Sequence, residues 1–195
     1  VVPQTGDQAL GEGWEKYRAH LLPNRLLRIS GRFMKKATPG NILVMRHNER
    51  DHAGIFITNS ASVSLKNITL YYAAGLGILS QYSKDLTYTG INIIPNVRKK
   101  RYFSGHDDGM HFSNCAGLLR VEHCQFQGLM DDPINVHGTS VKIIRKGPGN
   151  QLLCRFMHAQ STGMEWATPG DSVGMIDHLT MQTIALGQVS SFSPV

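Results

Sequence analysis

"SVSLKNITL" at residues 62–70 indicates the architecture, because its pattern of apolar residues returns twice further along the chain. The pattern returns in "DLTYTGINI" at positions 85–93 and again in "LLRVEHCQF" at positions 118–126. Four matching positions are apolar or aromatic in every copy. They are Val63, Leu65, Ile68 and Leu70, then Leu86, Tyr88, Ile91 and Ile93, then Leu119, Val121, Cys124 and Phe126.

A second short strand repeats beside the first. It reads "GIFI" at 54–57, "GILS" at 77–80, "MHFS" at 110–113 and, with one position of slippage, "PINV" at 133–136. Short strands that recur this closely leave no room for helices, so the pattern predicts an all-β fold. It favours a parallel β-helix, a solenoid in which each coil packs its inward side chains on the coil beneath. An antiparallel sandwich or barrel also has short strands, but its sequence does not need to repeat position by position at a fixed interval.

The two ends of the chain lack this pattern. We predict an N-terminal capping or lead-in segment at residues 1–36 and β-helix coils with the active site at 37–140. Residues 141–195 contain a hairpin signal at Gly147-Pro148-Gly149, followed by two further strand patterns. They predict a small antiparallel, barrel-like β element, which could be truncated.

Composition excludes several classes of protein. The net charge of +6 is dispersed except at Arg98–Arg101, without interleaved aromatic residues, so we expect no nucleic-acid partner. Three Cys without a CxxC spacing argue against a disulfide framework or a zinc site. No apolar run is long enough for a membrane span, and no signal peptide is visible. The first residue is Val1, so we expect a processed form or a fragment.

Two acidic pairs stand out in this weakly charged chain. "SGHDDGMHFSN" at 104–114 contains Asp107-Asp108, and "LMDDPINVHG" at 129–138 contains Asp131-Asp132. Each pair precedes a strand at the same point of the repeat, so we expect the four carboxyl groups to converge. Strand alternation then divides the following residues between two faces. Met110, Phe112, Ile134 and Val136 should point inward, whereas His111, Asn135 and His137 should point outward.

Clustered carboxyl groups have a structural and a chemical explanation. Asp initiates turns, which would account for one of them but only weakly for two stacked pairs. Carboxylates this close repel each other, so we expect at least one of them to keep its proton. Acid–base catalysis needs such a protonated carboxyl group beside an ionised one. The group could bind calcium, as in β-helical polysaccharide lyases, or hydrolyse a glycosidic bond. Lyases usually need a Lys or Arg base, and the outward neighbours here are His and Asn, which favours a hydrolase. Stacked carboxyl groups about 5 Å apart would suit retention, and displaced ones at roughly 6–8 Å would approach inversion.

The same stretches resemble glycoside hydrolase family 110, the bacterial exo-acting α-1,3-galactosidases. The resemblance rests on "RDHAGIFITNS" (50–60), "GLGILSQYS" (75–83), "SGHDDGMHFSNC" (104–115) and "GLMDDPINVHGT" (128–139), and "PGDSV" (169–173) is similar to the family's β-barrel insertion. It implies a right-handed parallel β-helix with inserted β-barrels. It also implies removal of terminal α-1,3-linked galactose, as in blood group B glycans, with inversion and without a metal or other cofactor. A periplasmic or secreted location follows from the resemblance alone.

The resemblance implies that catalysis uses Asp108, Asp131 and Asp132. We expect Asp131 to be the general acid, with Asp108 and Asp132 holding the attacking water. Outward orientation and proximity suggest further residues for binding a galactose-terminated oligosaccharide or for supporting the site. They are His106, Asp107, His111, Asn135, His137 and Gln81.

Other functions remain open at this stage. A catalytically inactive or truncated carbohydrate-binding β-helix and a calcium-dependent polysaccharide lyase are the alternatives to a hydrolase. Exposed coil edges could pair between chains and give a homodimer. The chain is short for family 110, so we expect it to be a fragment.

Overall fold

A computed structural model describes residues 17–32, 38–44 and 52–193 of the chain. The predicted all-β class is confirmed, since these residues form β-strands and three 3-10 helices, at Pro23–Arg25, Val97–Lys99 and Ala159–Ser161. The strands are β1 (Tyr17–Leu22), β2 (Leu26–Gly31), β3 (Ile55–Thr58), β4 (Ser64–Lys66), β5 (Thr69–Leu70), β6 (Ile78–Gln81), β7 (Lys84–Thr89), β8 (Asn92–Ile93), β9 (Met110–Ser113), β10 (Ala116–Glu122), β11 (Gln125–Phe126), β12 (Ile134–His137), β13 (Val141–Lys146), β14 (Leu152–Phe156), β15 (Ser172–Ile176) and β16 (Thr183–Gln188).

The chain divides into two compact units, Val1–Val136 and His137–Val195. The predicted domains at 1–36, 37–140 and 141–195 stay a prediction. Much of the predicted N-terminal segment, residues 1–16 and 33–36, lies outside the described residues. Its described part contains the antiparallel pair β1–β2.

Three small sheets dominate the first unit. Their strand orders are β12-β9-β6-β3, β10-β7-β4 and β11-β8-β5, so each strand lies beside its counterpart from the next stretch of chain. The pairs β3–β6, β6–β9, β4–β7, β7–β10, β5–β8 and β8–β11 are parallel. Leu65 pairs with Tyr88 and Tyr88 with Val121, which is the alignment that the sequence pattern predicts.

The alignment predicted for the "MHFS" strand is wrong by one position. The sequence pattern placed Met110 opposite Gly77, whereas the structure pairs Met110 with Ile78. The alignment returns to the predicted one further on, because the stretch with β10 contains one additional residue, and the register between β7 and β10 shifts between Ala116 and Leu119. Such a bulge adds one residue to one strand of a pair without ending the pairing.

Left-handed backbone conformations recur at the corners between the strands of the first unit. Residues other than glycine rarely adopt a positive φ, and among them Asn tolerates it best. Residues with a positive φ occur at matching corners of three successive stretches of chain, so the strands that follow these corners keep the same alignment. The residues are Asn59, Tyr82 and Asn114 at one corner, and Asn67, Gly90 and His123 at another.

The core of the first unit lies between the three parallel sheets. Its buried members are Ile78, Leu86, Tyr88, Ile91, Ile93, Met110 and Phe112. The rings of Tyr88 and Phe112 stack at 5.6 Å, which adds about 0.5–1.5 kcal/mol to their burial. The Tyr88 hydroxyl lies 2.8 Å from Ser80 Oγ, and burial raises the pKa of the Tyr88 phenol.

The predicted burial is confirmed for only half of the four residues expected to point inward. Met110 and Phe112 are buried in the core. Ile134 and Val136 are 41% and 59% exposed. Both lie in β12, which is the edge strand of its sheet among the residues that the structure describes.

Antiparallel hairpins form the second unit. β13 pairs with β14 around the predicted Gly147–Gly149 turn, and β15 pairs with β16. The Trp166 indole N–H donates to the Thr139 carbonyl, and its ring lies 6.5 Å from that of Phe192. No helix in the described part of the chain has the length and apolar character needed to cross a membrane.

The Ser80–Tyr88 hydrogen bond predicts a measurable coupling in stability. Ser80→Ala or Tyr88→Phe alone leaves one buried hydroxyl without its partner and should lower the free energy of unfolding by about 1–3 kcal/mol. The double variant should lose less than the sum of the single variants, because neither hydroxyl then remains. Urea unfolding of the four proteins measures this, and strictly additive losses would contradict it.

Candidate active site

Two backbone hydrogen bonds bring the acidic pairs together. Gly77 N donates to the Asp108 carbonyl at 2.8 Å, and Gly109 N donates to the Asp132 carbonyl at 2.9 Å. Asp108 and Asp132 therefore occupy the same place in two successive segments, immediately before β9 and β12. This confirms that the two pairs are equivalent, as the sequence pattern predicts.

Three of the four expected carboxyl groups converge. One oxygen each from Asp108, Asp131 and Asp132 can be chosen so that all three lie within 4.8 Å of one another. Asp108 is only 5% exposed, whereas Asp131 and Asp132 are exposed. The expectation that Asp107 joins them is wrong, because its carboxyl group pairs with His106 instead.

Asp108 is held by two neighbouring side chains. His111 Nδ1 lies 2.6 Å from Asp108 Oδ2, and the Asn135 amide donates to the same oxygen at 3.3 Å. An ionised carboxylate only accepts hydrogen bonds, so in that state His111 carries a proton on Nδ1. Both donors come from outward positions of neighbouring strands, β9 and β12. Their predicted contact with sugar stays a prediction, and their contact with Asp108 is the one that the structure describes.

His106 and Asp107 form a buried pair next to Asp108. His106 Nδ1 lies 3.1 Å from Asp107 Oδ2, and the residues are 5% and 2% exposed. Their backbone amides donate to the Ala73 and Gly75 carbonyls. The pair therefore lies beneath the surface, beside the backbone that carries Asp108. Its predicted roles, contact with substrate or support of the site, stay a prediction.

The two remaining residues predicted to contact the sugar are Gln81 and His137. Gln81 ends β6, in register with Thr58 and Ser113, and within the described residues it makes no side-chain hydrogen bond to the three carboxylates. His137 is the first residue of the second unit and is exposed. Its Nδ1 lies 3.0 Å from the Gly138 carbonyl.

Gly109 is a residue of this site that the sequence interpretation did not select. It separates Asp108 from Met110, and its amide makes the hydrogen bond to Asp132. The signal was present in the sequence, because Gly54 and Gly77 also stand directly before a repeated strand. The "MHFS" alignment began one position too late and left Gly109 outside the pattern.

The three carboxylates are also the group among the described residues that could hold a metal ion. Carboxylate oxygens suit hard cations, and Ca²⁺ takes six to eight oxygen ligands. Three carboxylates at this spacing would have to be completed by water or substrate. The expected absence of a metal stays a prediction.

The arrangement combines one fixed carboxylate with two accessible ones. His111 and Asn135 both contact Asp108 Oδ2, which leaves Oδ1 for a further ligand such as water. Asp131 and Asp132 face solvent, and Asp132 N donates to Asp131 Oδ1 at 3.1 Å. Acid–base chemistry on a surface-bound substrate needs a fixed acceptor and a neighbouring donor, and this group contains candidates for both.

Comparison with known proteins finds relatives that share one activity in their names. A family model described as "GLAA-B beta-barrel domain II" matches residues 151–195. Alpha-1,3-galactosidase B of Bacteroides thetaiotaomicron is 47% identical over 98% of the chain, which covers 31% of that relative. Alpha-1,3-galactosidase B of Parabacteroides distasonis is 35% identical over 90% of the chain and 33% of its own length. Alpha-1,3-galactosidase A of Bacteroides fragilis is 35% identical over 96% of the chain and 31% of its own length.

These matches confirm the recognition made from the motifs. The chain is a homologue of the α-1,3-galactosidases, the proteins of glycoside hydrolase family 110 that its sequence resembles. It spans about a third of the length of these curated relatives.

The hydrogen bonds to Asp108 predict an order of stability. His111→Ala removes the shorter bond to a buried carboxylate and should lower the free energy of unfolding by about 1–3 kcal/mol. Asn135→Ala removes the longer bond and should lower it less. Urea unfolding midpoints give the order, and a larger loss for Asn135→Ala would contradict the assignment of His111 as the main partner.

Proposed function

We propose that the full-length protein containing this chain is a glycoside hydrolase that removes terminal α-1,3-linked galactose from oligosaccharides or glycans. The convergence of Asp108, Asp131 and Asp132 carries the proposal. Glycoside hydrolysis generally needs one carboxylic acid to protonate the leaving oxygen and one carboxylate to assist the attack on the anomeric carbon. The names of the relatives, all α-1,3-galactosidases, support galactose as the sugar and the α-1,3 bond as the bond that is cleaved.

In the proposed mechanism Asp131 is the general acid. Its exposed side chain can approach the glycosidic oxygen of a substrate that lies over the site. Asp108 and Asp132 accept the hydrogen bonds of a water molecule and take up its proton as it attacks. Asp108 suits this role because its contacts with His111 and Asn135 fix the direction of its carboxyl group.

Inversion at the anomeric carbon is part of the proposal, and the resemblance to family 110 supports it. One oxygen from each of the three carboxylates lies within 4.8 Å of the other two. Inverting enzymes separate their two carboxyl groups by about 6.5–9.5 Å, and retaining enzymes by about 5–5.5 Å. Asp131 and Asp132 are exposed and can change rotamer while Asp108 stays held. Such a change would widen the gap enough to admit water.

We further propose that the three parallel sheets belong to a right-handed parallel β-helix built from sequence repeats. The equal spacing along the chain from β4 to β7 and from β5 to β8 supports this, as do the matching left-handed corners. A concave strip on such a scaffold would accept a chain-terminal sugar. Blood group B glycans are the proposed natural class of substrate, and a periplasmic or secreted location would bring the enzyme to them.

The proposed role of Asp131 predicts a loss that depends on the leaving group. In the full-length protein, Asp131→Asn should lower kcat on α-1,3-galactobiose by about 10²–10⁴-fold, because the general acid is removed. An aryl α-galactoside with a good leaving group needs less protonation, so its loss should be much smaller. Glu122→Gln also replaces a carboxylic acid by its amide, on an exposed residue of β10, and should leave both rates unaltered. Equal losses on both substrates would overturn the role of general acid.

The stereochemistry and the metal requirement form a separate prediction. Proton NMR at early times should detect β-galactose as the first product, since water attacks opposite the leaving group. Treatment with EDTA should leave kcat unaltered. α-Galactose as the first product would indicate retention. EDTA-sensitive release of unsaturated products from an acidic polysaccharide would favour a calcium-dependent lyase.

A further inference from the structure

We propose that Gly109 is a positioning residue whose missing side chain sets the distance between Asp108 and Asp132. The inference rests on the proposed function, in which these two carboxylates hold the same water molecule. It goes further because Gly109 touches neither water nor sugar in that mechanism and acts only through the backbone. Any side chain at this point would separate the two segments that carry the carboxylates.

The shortest connection between the two acids runs through the Gly109 amide. The nitrogen of Gly109 is bonded to the carbonyl carbon of Asp108, and its hydrogen is donated to the Asp132 carbonyl at 2.9 Å. One peptide unit and one hydrogen bond therefore join the two backbones. Met110 N donates to the Pro133 carbonyl at 3.0 Å and fixes the next point of the same ladder.

Three neighbouring atoms occupy the space that a side chain at position 109 would need. A Cβ atom there would lie 2.7 Å from the Pro133 carbonyl oxygen, 2.7 Å from Phe126 Cδ1 and 2.9 Å from Leu129 Cδ1. Contacts this short force a displacement, and two of the neighbours are side chains that can yield. The Pro133 carbonyl is backbone and is held by Met110 N, so relief there moves the segment that carries Asp132.

Pro133 restricts the backbone of Asp132. The ring of a proline restricts the residue before it to extended backbone conformations, so Asp132 has few alternatives if its neighbour is displaced. A displacement of this backbone moves the point from which the Asp132 side chain extends, and a change of rotamer does not restore that point. A displacement of this kind is costly in an active site, because misplacing a reacting group by about 1 Å can lower the rate by about 100-fold.

Gly54 provides a matched control in the same chain. It precedes β3 as Gly109 precedes β9, and its amide donates to the Leu76 carbonyl at 2.9 Å. A Cβ atom on Gly54 would lie 2.8 Å from the Gly77 carbonyl oxygen, nearly the same contact. The residues joined by this hydrogen bond are Ala53 and Leu76, neither of which has a carboxyl group. Gly54→Ala therefore reproduces the contact with a backbone carbonyl, without the side-chain contacts of Gly109, at a place that carries no carboxylate.

The test compares Gly109→Ala and Gly54→Ala in the full-length protein. Both should lower the urea midpoint, Gly109→Ala more than Gly54→Ala, because an added Cβ meets three neighbours within 3.0 Å at Gly109 and one at Gly54. Gly109→Ala should lower kcat on α-1,3-galactobiose by about 100-fold with KM nearly unaltered, whereas Gly54→Ala should keep kcat within about twofold. If Gly109→Ala does not fold, Gly109→Ala with Leu129→Ala removes one side-chain contact, keeps the carbonyl contact and should show the same loss.

Two results would overturn the inference. One is a folded Gly109→Ala enzyme with a kcat within twofold of the wild type, and the other is an equal loss of kcat in Gly54→Ala. Crystal structures of the wild type and Gly109→Ala should show a longer Asp108–Asp132 distance in the variant, and an unaltered distance would also overturn it. This distance tests the role of Gly109 even if Asp131→Asn keeps full activity and the proposed function fails.

Discussion

The amides of Gly77 and Gly109 donate to the carbonyls of Asp108 and Asp132, and the geometry of the site follows from these two hydrogen bonds. They belong to the ladder that joins each parallel strand to its counterpart from the next stretch of chain. The same bonds that stabilise the sheet therefore set the positions of the acidic residues. Since every buried backbone amide needs a partner, the site cannot change its spacing without breaking part of the fold.

Stability and function make opposite demands on the three carboxylates. Burying Asp108 is unfavourable unless its charge is hydrogen-bonded, and His111 and Asn135 provide those bonds. Asp131 and Asp132 avoid the same cost by remaining exposed. The group thus has one carboxylate with a fixed direction beside two that can adapt to a substrate. In the proposed mechanism the fixed carboxylate of Asp108 and the adaptable one of Asp132 hold the water, and the other adaptable one, Asp131, protonates the leaving group.

The sequence predicts the pairing of strands better than the direction of single side chains. Leu65, Tyr88 and Val121 were aligned correctly because inward packing imposes the same residue type at each stacked position. The alignment of Met110 was wrong by one, because a bulge between Ala116 and Leu119 absorbs a residue without changing the apolar pattern. Strand alternation alone does not distinguish Asp107 from Asp108, because the turn before β9 interrupts it, and it is the resemblance to family 110 that selects Asp108. The contacts of His111 and Asn135 with Asp108 follow from register, which the sequence indicated only approximately.

A crystal structure of the full-length protein with galactose is the sharpest test of the proposed site, because it locates the anomeric carbon relative to Asp108, Asp131 and Asp132. The proposed mechanism predicts a single galactose over the three carboxylates, with a water molecule held by Asp108 and Asp132 on one side of that carbon and Asp131 on the other. Galactose bound at another surface, or a cation between the three carboxylates in place of the water, would contradict it.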